Sequence, residues 1–200
     1  MLRDFLLPGI VIGIGAGLSP GPLLMIVLSG TLKHGVRSGL IMTLAPLFTD
    51  IPFAIVSILL AHEIGSIKPA IGILSILGAA FLVLLAYQNI TIRKKDLYQG
   101  TKNSASFTKA VVTNIFNPYL YIFWFSVAIP IFARGNLAGS IVFAVALNIA
   151  CVISMMLLVL LVGLIRMRFV SYLHWGIRIL GVLLLAVAIT FAHQGILLLK

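Results

Sequence analysis

Charge is so sparse along this 200-residue chain that the intervals between charged residues decide what it can fold into. Only 14 Lys and Arg and 4 Asp and Glu are present. Six of the intervals they leave are long enough for a membrane helix, which needs about 20 predominantly apolar residues to cross a bilayer. They are Phe5–Leu32, Ser38–His62 (interrupted only by Asp50), Pro69–Ile92, Ala110–Ala133, Gly135–Ile165 and Ile179–Leu199. Composition agrees: 62% of residues are hydrophobic and 9% charged, where a soluble domain carries roughly 25% charged residues. The remaining stretches are too short to fold or catalyse alone, which excludes a soluble enzyme. Runs this long and uniformly apolar satisfy their backbone polar groups as helices, and they lack the alternation of barrel strands. The expected fold is an all-α polytopic membrane protein: six transmembrane helices forming a single domain over residues 1–200.

A net charge of +10 raises nucleic acid as a partner, but basic residues in a polytopic protein act first as topology signals. The loops after helices 1, 3 and 5 hold Lys33 and Arg37, then Arg93, Lys94, Lys95, Lys102 and Lys109, then Arg166 and Arg168; Arg178 lies at the foot of helix 6. The opposite side holds Arg3, Lys68, Arg134 and Lys200. The positive-inside rule therefore predicts cytoplasmic odd-numbered loops, both termini outside, and no nucleic-acid role. Residues 93–109 become a cytoplasmic loop whose charge orientation explains, with anionic lipid as a secondary reading. The first helix lacks a small-x-small cleavage site and reads as retained. Cys151 is alone in an apolar run, so no disulfide or CxxC redox pair is expected.

The informative residues are those that a membrane helix avoids. Pro20 and Pro22 fall inside helix 1, where each removes a backbone donor and crowds the preceding turn, so the helix is expected to break at Ser19-Pro20-Gly21-Pro22. Such a break is tolerated only where backbone lines a cavity or is covered by protein. The half-helix opening near Pro22 then presents a positive dipole end suited to carboxylates, against the plainer reading of a packing kink. Gly9, Gly13, Gly17 and Gly21 form a stripe that predicts a close helix contact. Helix 4 repeats the irregularity at Asn114-Ile115-Phe116-Asn117-Pro118. Pro22-Leu-Leu-Met-Ile aligns with Pro118-Tyr-Leu-Tyr-Ile, three helices later, so the second copy would sit upside down. Broken helices in matching positions of two inverted halves point to a secondary transporter. The expected repeats are residues 1–92 and 110–200.

Asp50 is the only acid within any of the six intervals. Holding a charge there costs about 2.5–3.5 kcal/mol on insertion scales, which makes an intramembrane carboxylate a functional candidate. One reading is a protonatable group that binds a substrate cation and releases it when protonated; the other is a structural partner for Arg178. Pro46 and Pro52 flank Asp50 and are expected to bend helix 2, and Asn148 occupies the corresponding place in helix 5. His34, His62, His174 and His193 show no metal-ligand spacing and read as interfacial or packed residues. Trp124, Trp175, Tyr87 and Tyr172 read as belt or core residues, while Tyr119 and Tyr121 follow the helix 4 break and are candidate cavity residues. No nucleophile–base pair, phosphate loop, metal set or cofactor motif is present.

At these residues the sequence resembles the LysE-type (RhtB-like) translocators, small six-helix exporters of amino acids and their derivatives. Ser19-Pro20-Gly21-Pro22 resembles that family's Thr/Ser-Pro-Gly-Pro motif, and Gly35-Val36-Arg37-Ser38-Gly39-Leu40 its Gly-x-Arg-x-Gly-Leu loop. Asp50 falls at the family's helix 2 aspartate. Gly78-Ala79-Ala80-Phe81-Leu82, Thr113-Asn114-Ile115-Phe116-Asn117-Pro118 and Arg178-Ile179-Leu180-Gly181 are similar to family segments in helices 3, 4 and 6. The chain departs from the family at Ala45-Pro46-Leu47-Phe48-Thr49, where small residues are usual, and at Leu23, where Asn is usual. Leu23 and Phe48 point to a substrate less polar than lysine.

The expectation is export of an amino acid or related small metabolite by proton antiport across a prokaryotic plasma membrane. The substrate carboxylate would rest at Ser19, Pro20, Gly21 and Pro22, its amine on Asp50, with polar contacts from Asn114, Asn117 and Pro118. Asp50 would also couple the proton. Membrane lipid surrounds the chain in this reading, and a homodimer is an open arrangement. The alternatives are a scaffold subunit that transports nothing, in which Asp50 tolerates Asn; an exporter of another solute such as a metal cation, against which a single carboxylate argues; and a membrane enzyme.

Overall fold

The computed structural model describes residues 2–64, 66–91, 106–164 and 170–199. Most of the 93–109 loop, with Arg166 and Arg168, lies outside them, as do the side chains of Arg3, Tyr172 and His174. All regular elements among the described residues are helical. After a π-helical turn at Leu2–Leu6 they are α1 (Leu7–Leu18), α2 (Pro22–His34), α3 (Val36–Met42), α4 (Ala45–Ile64) and α5 (Lys68–Thr91). Then come α6 (Phe107–Ile115), α7 (Pro118–Ile122), a second π-helical turn (Phe123–Ala128), α8 (Ile129–Phe132), α9 (Leu137–Leu164) and α10 (Val170–Leu199). Four stretches are long and apolar enough to cross a membrane alone: 36–64, 68–91, 137–163 and 175–199. Two bent pairs bring the number to as many as six.

The bends follow from proline and capping chemistry. The chain turns by 60° between residues 4–18 and 22–34, where Pro22 starts α2 and Gly21, in the N-cap position, supplies no side-chain cap. It turns by 54° between residues 107–115 and 118–132. There Asn117 Oδ1 accepts a hydrogen bond from the Tyr119 amide at 3.1 Å, and Pro118 occupies the first helical position that suits it. Gly35, at φ +86°, separates α2 from α3 in the left-handed conformation that favours glycine. Helix 2 is interrupted at Thr43–Leu44, ahead of Pro46, while Pro52 is carried inside α4. Helix 6 begins at Val170, upstream of the charge-free interval that opens at Ile179. Arg178 lies within the first turns of α10, its guanidinium 5.1 Å from the Trp175 ring, whose aromatic face accommodates the cation.

The glycine stripe does what its spacing predicts at three positions. A Cβ on Gly9 would lie 3.1 Å from Ala146 Cβ, and one on Gly13 would lie 3.0 Å from both Leu147 Cα and Ala150 Cβ. Gly17 faces Cys151 and Ser154 in the same way, so α1 and α9 run side by side in the same direction. Gly72 faces Gly195 and Gly181 faces Ala86, which sets α5 and α10 antiparallel. Gly21 lies in the break and has open space around it. The outward surface is apolar, as along the Ile141, Val145, Ile149, Ile153 and Leu157 ridge of α9, which is the pattern of a surface solvated by lipid. The interior divides into two apolar clusters. One is rich in aromatics, with Phe123, Trp124, Phe132 and Phe143 in successive contact; the other contains Leu24, Leu28, Met42, Met155 and Val159.

Candidate functional site

Between these clusters lies a cavity of about 110 Å³ to which both helix breaks contribute. Ser19 and Gly21 line it from the first break, Asn114 and Asn117 from the second, and Asp50 from α4. Pro20, Pro22 and Pro118 do not line it; they shape the breaks from behind. A larger concavity of about 860 Å³ runs along the outside of α1 and α9, but Ser154 is the one residue with a polar side chain among those lining it, and nothing in it converges on a ligand.

Asp50 is held at 8% exposure by neighbours from two helices. Asn114 Nδ2 donates to Asp50 Oδ1 at 3.2 Å and to Thr49 Oγ1 at 2.6 Å, and Thr49 Oγ1 donates to Asp50 Oδ1 at 3.0 Å. Both bonds to the carboxyl fall on Oδ1. The Trp124 indole lies close to the same carboxyl, with its Nε1 buried and without a hydrogen-bond partner. Ser57, two turns along α4 from Asp50, fixes that segment by donating to the Trp124 carbonyl at 3.0 Å. No basic side chain bonds Asp50 among the described residues, so the structural pairing with Arg178 is not formed.

The other expected residues divide. Ser19 Oγ donates to the Gly15 carbonyl at 2.7 Å, satisfying an acceptor exposed by the end of α1. The first turn of α2 has no side-chain cap, and Leu23 and Leu24 of that turn line the cavity. Asn117 spends its oxygen on capping α7. Tyr119 lines the cavity and its hydroxyl accepts from Gln88 Nε2 at 2.7 Å, whereas Tyr121 turns outward and packs its ring 4.9 Å from that of Phe53. Phe48 is a correction: it is 65% exposed, packs against Phe107, and does not reach the cavity. Asn148 is buried, and its Nδ2 donates to the Ala144 carbonyl on its own helix.

Sequence reasoning missed Thr49 as the bridge between Asn114 and Asp50. It also missed the apolar wall supplied by Phe81, Leu85, Leu120, Phe123 and Met155, for which one strand of sequence carries no signal beyond hydrophobicity. Among the described residues no group of three His, Cys, Asp or Glu side chains comes together. The site offers a buried carboxyl with polar donors on one oxygen, uncapped helix amides nearby, and an apolar remainder.

No curated protein and no solved structure matches the chain. A family model, LysE type translocator, matches residues 14–195, which include both helix breaks and every residue named around the cavity. The chain belongs to the LysE type translocator family, and is a multi-pass membrane translocator.

Proposed function

We propose that the protein exports amino acids or related small metabolites by proton antiport, with Asp50 as the group that holds the substrate amine and the coupling proton in turn. The observation that carries this reading is the convergence of Asp50, Asn114 and the uncapped start of α2 on one cavity. A zwitterion needs an anion for its amine and donors for its carboxylate. Asp50 supplies the first, and the dipole end and free amides of α2 supply the second. Protonation of Asp50 removes its attraction for the amine, which gives the two ligands a basis for competing at one site. At about 110 Å³ the cavity is well below the roughly 300–1,000 Å³ of pockets for drug-sized molecules, so it suits a small solute. Leu23, Phe81, Leu85 and Met155 in its wall favour an apolar side chain on that solute.

In this reading the chain is one domain of two inverted three-helix repeats, residues 1–92 and 110–200. The two bends occupy matching places in the halves, and rocking of one half against the other alternates access. Basic residue distribution favours cytoplasmic odd-numbered loops and outward termini in a prokaryotic plasma membrane. The test is efflux of a panel of labelled amino acids from cells expressing the wild type or Asp50→Asn at matched membrane abundance. Faster wild-type efflux of at least one amino acid, lost in the variant, is expected. Equal efflux by the variant contradicts the role of Asp50, and an inert wild type contradicts amino acid export.

A further inference from the structure

On one turn of α5, Gln88 Oε1 and both amide atoms of Asn89 are buried without a hydrogen-bond partner. Asn89 is 0% exposed, so no solvent reaches it in this conformation. An amide held this way is costly, because it gives up its hydrogen bonds to water and gains none in return. A leucine would fill the same space without that cost, so packing alone does not account for two adjacent amides.

Their position is specific. Phe81 and Leu85 line the cavity that holds Asp50, and Gln88 and Asn89 follow on the same face of α5, one turn nearer its Thr91 end. Gln88 is also joined to the cavity wall, its Nε2 donating to the Tyr119 hydroxyl at 2.7 Å. The stripe of α5 that faces the cavity therefore changes from apolar to amide just beyond it. Gly181 of α10 covers Asn89: a Cβ added to that glycine would lie 3.1 Å from Asn89 Cβ and 2.9 Å from the Ala86 carbonyl oxygen. In the reading above α5 ends the first repeat and α10 the second, so this cover is a contact between the halves that rock. Separation of α10 from α5 at Gly181 gives the amides to water and joins them to the cavity.

We propose that Gln88 and Asn89 line the route between the Asp50 cavity and the Thr91 end of α5, a route closed in this conformation by α10 and wetted when the halves rock apart. With the orientation argued above, it is the cytoplasmic entrance. Each side-chain amide offers donors and an acceptor but no charge. That chemistry suits a solute whose own charges balance, such as a zwitterion, and lets it pass to Asp50 without being retained on the way. The proposal rests on the alternating-access reading for the motion and on the distribution of basic residues for the side.

The test is thiol accessibility in the full-length protein. Asn89→Cys and Gln88→Cys are each treated with the membrane-impermeant reagent 2-(trimethylammonium)ethyl methanethiosulfonate, added to inside-out vesicles or to right-side-out spheroplasts. Modification at the introduced position is read by mass spectrometry, with the buried Cys151 left in place. A thiol ionises and reacts where water reaches it and is inert in an apolar surrounding. Tyr87→Cys is the control, since Tyr87 is on the same turn but 64% exposed on the outward surface. Modification at positions 88 and 89 is expected to be about tenfold faster or more from the cytoplasmic face than from the outer face, with Tyr87→Cys slow from both. If one of the two variants does not reach wild-type abundance, the other carries the test. Rates no higher than that of Tyr87→Cys, or equal from the two faces, overturn the route, and faster modification from the outer face overturns its assignment to the cytoplasmic side. Labelling needs no transported solute, so an inert efflux panel with this ratio intact removes the amino acid reading and leaves the route. Intact efflux without labelling removes the route alone.

Discussion

Asn114 Nδ2 stands 3.2 Å from Asp50 Oδ1, a contact between residues 64 positions apart that ties the broken helix pair α6–α7 to the helix carrying the buried acid. Hydrogen bonds to charged groups are worth about 1.5–3 kcal/mol. Asn114→Leu, which keeps the volume and removes the donor, is therefore expected to reduce efflux by about tenfold or more at equal abundance. Efflux within twofold of wild type (about 0.4 kcal/mol) contradicts a functional role for this bond.

Thr49 bonds both partners, so its effect and that of Asn114 should not add. Thr49→Val alone is expected to lower efflux several-fold. Combined with Asn114→Leu it should cost less than the two single losses multiplied, with a coupling of about 0.5–3 kcal/mol between residues in one network. A double-mutant cycle on initial efflux rates measures this, and strict additivity contradicts the network.

Stability and transport should separate along the glycine stripe. Gly13→Leu forces atoms against Leu147 and Ala150, and overpacking of this kind costs about 1–3 kcal/mol, so purified protein should melt at a lower temperature. Gly21→Ala meets nothing closer than the Ser19 carbonyl oxygen at 3.9 Å. It should melt as wild type does while lowering efflux, because the added methyl group stands where a solute approaches the start of α2. A variant that melts early and transports normally contradicts that placement.

Substrate choice should follow Leu23 rather than Phe48. Leu23 lines the cavity and Phe48 faces outward at 65% exposure. Leu23→Asn is expected to shift the efflux panel towards more polar amino acids, while Phe48→Ala should leave their ranking unchanged.

Much of this was legible in the sequence because a bilayer imposes one-dimensional rules. Long uncharged runs, prolines inside them and an isolated Asp50 can be read without knowing any contact, and the family motifs lie on these same features. What was hidden depends on neighbours in space. Thr49 looks like one polar residue beside another until Asn114 is brought against it. The Trp175 ring that supports Arg178 is identified only by the fold. Phe48 sits two residues from Asp50, but on a helix that spacing places it on another face. Asn117 has the chemistry of a ligand contact and is used as a cap, a choice set by the bend it terminates.

The central claim is that Asp50 exchanges a proton for a substrate amine at one site. The most direct measurement is proton release when an amino acid transported in the efflux panel is added to purified protein in weakly buffered detergent at a pH where Asp50 is partly protonated. Wild type should release up to about one proton per substrate bound, and Asp50→Asn none. Binding without proton release by the wild type, or equal release by Asp50→Asn, would contradict the account.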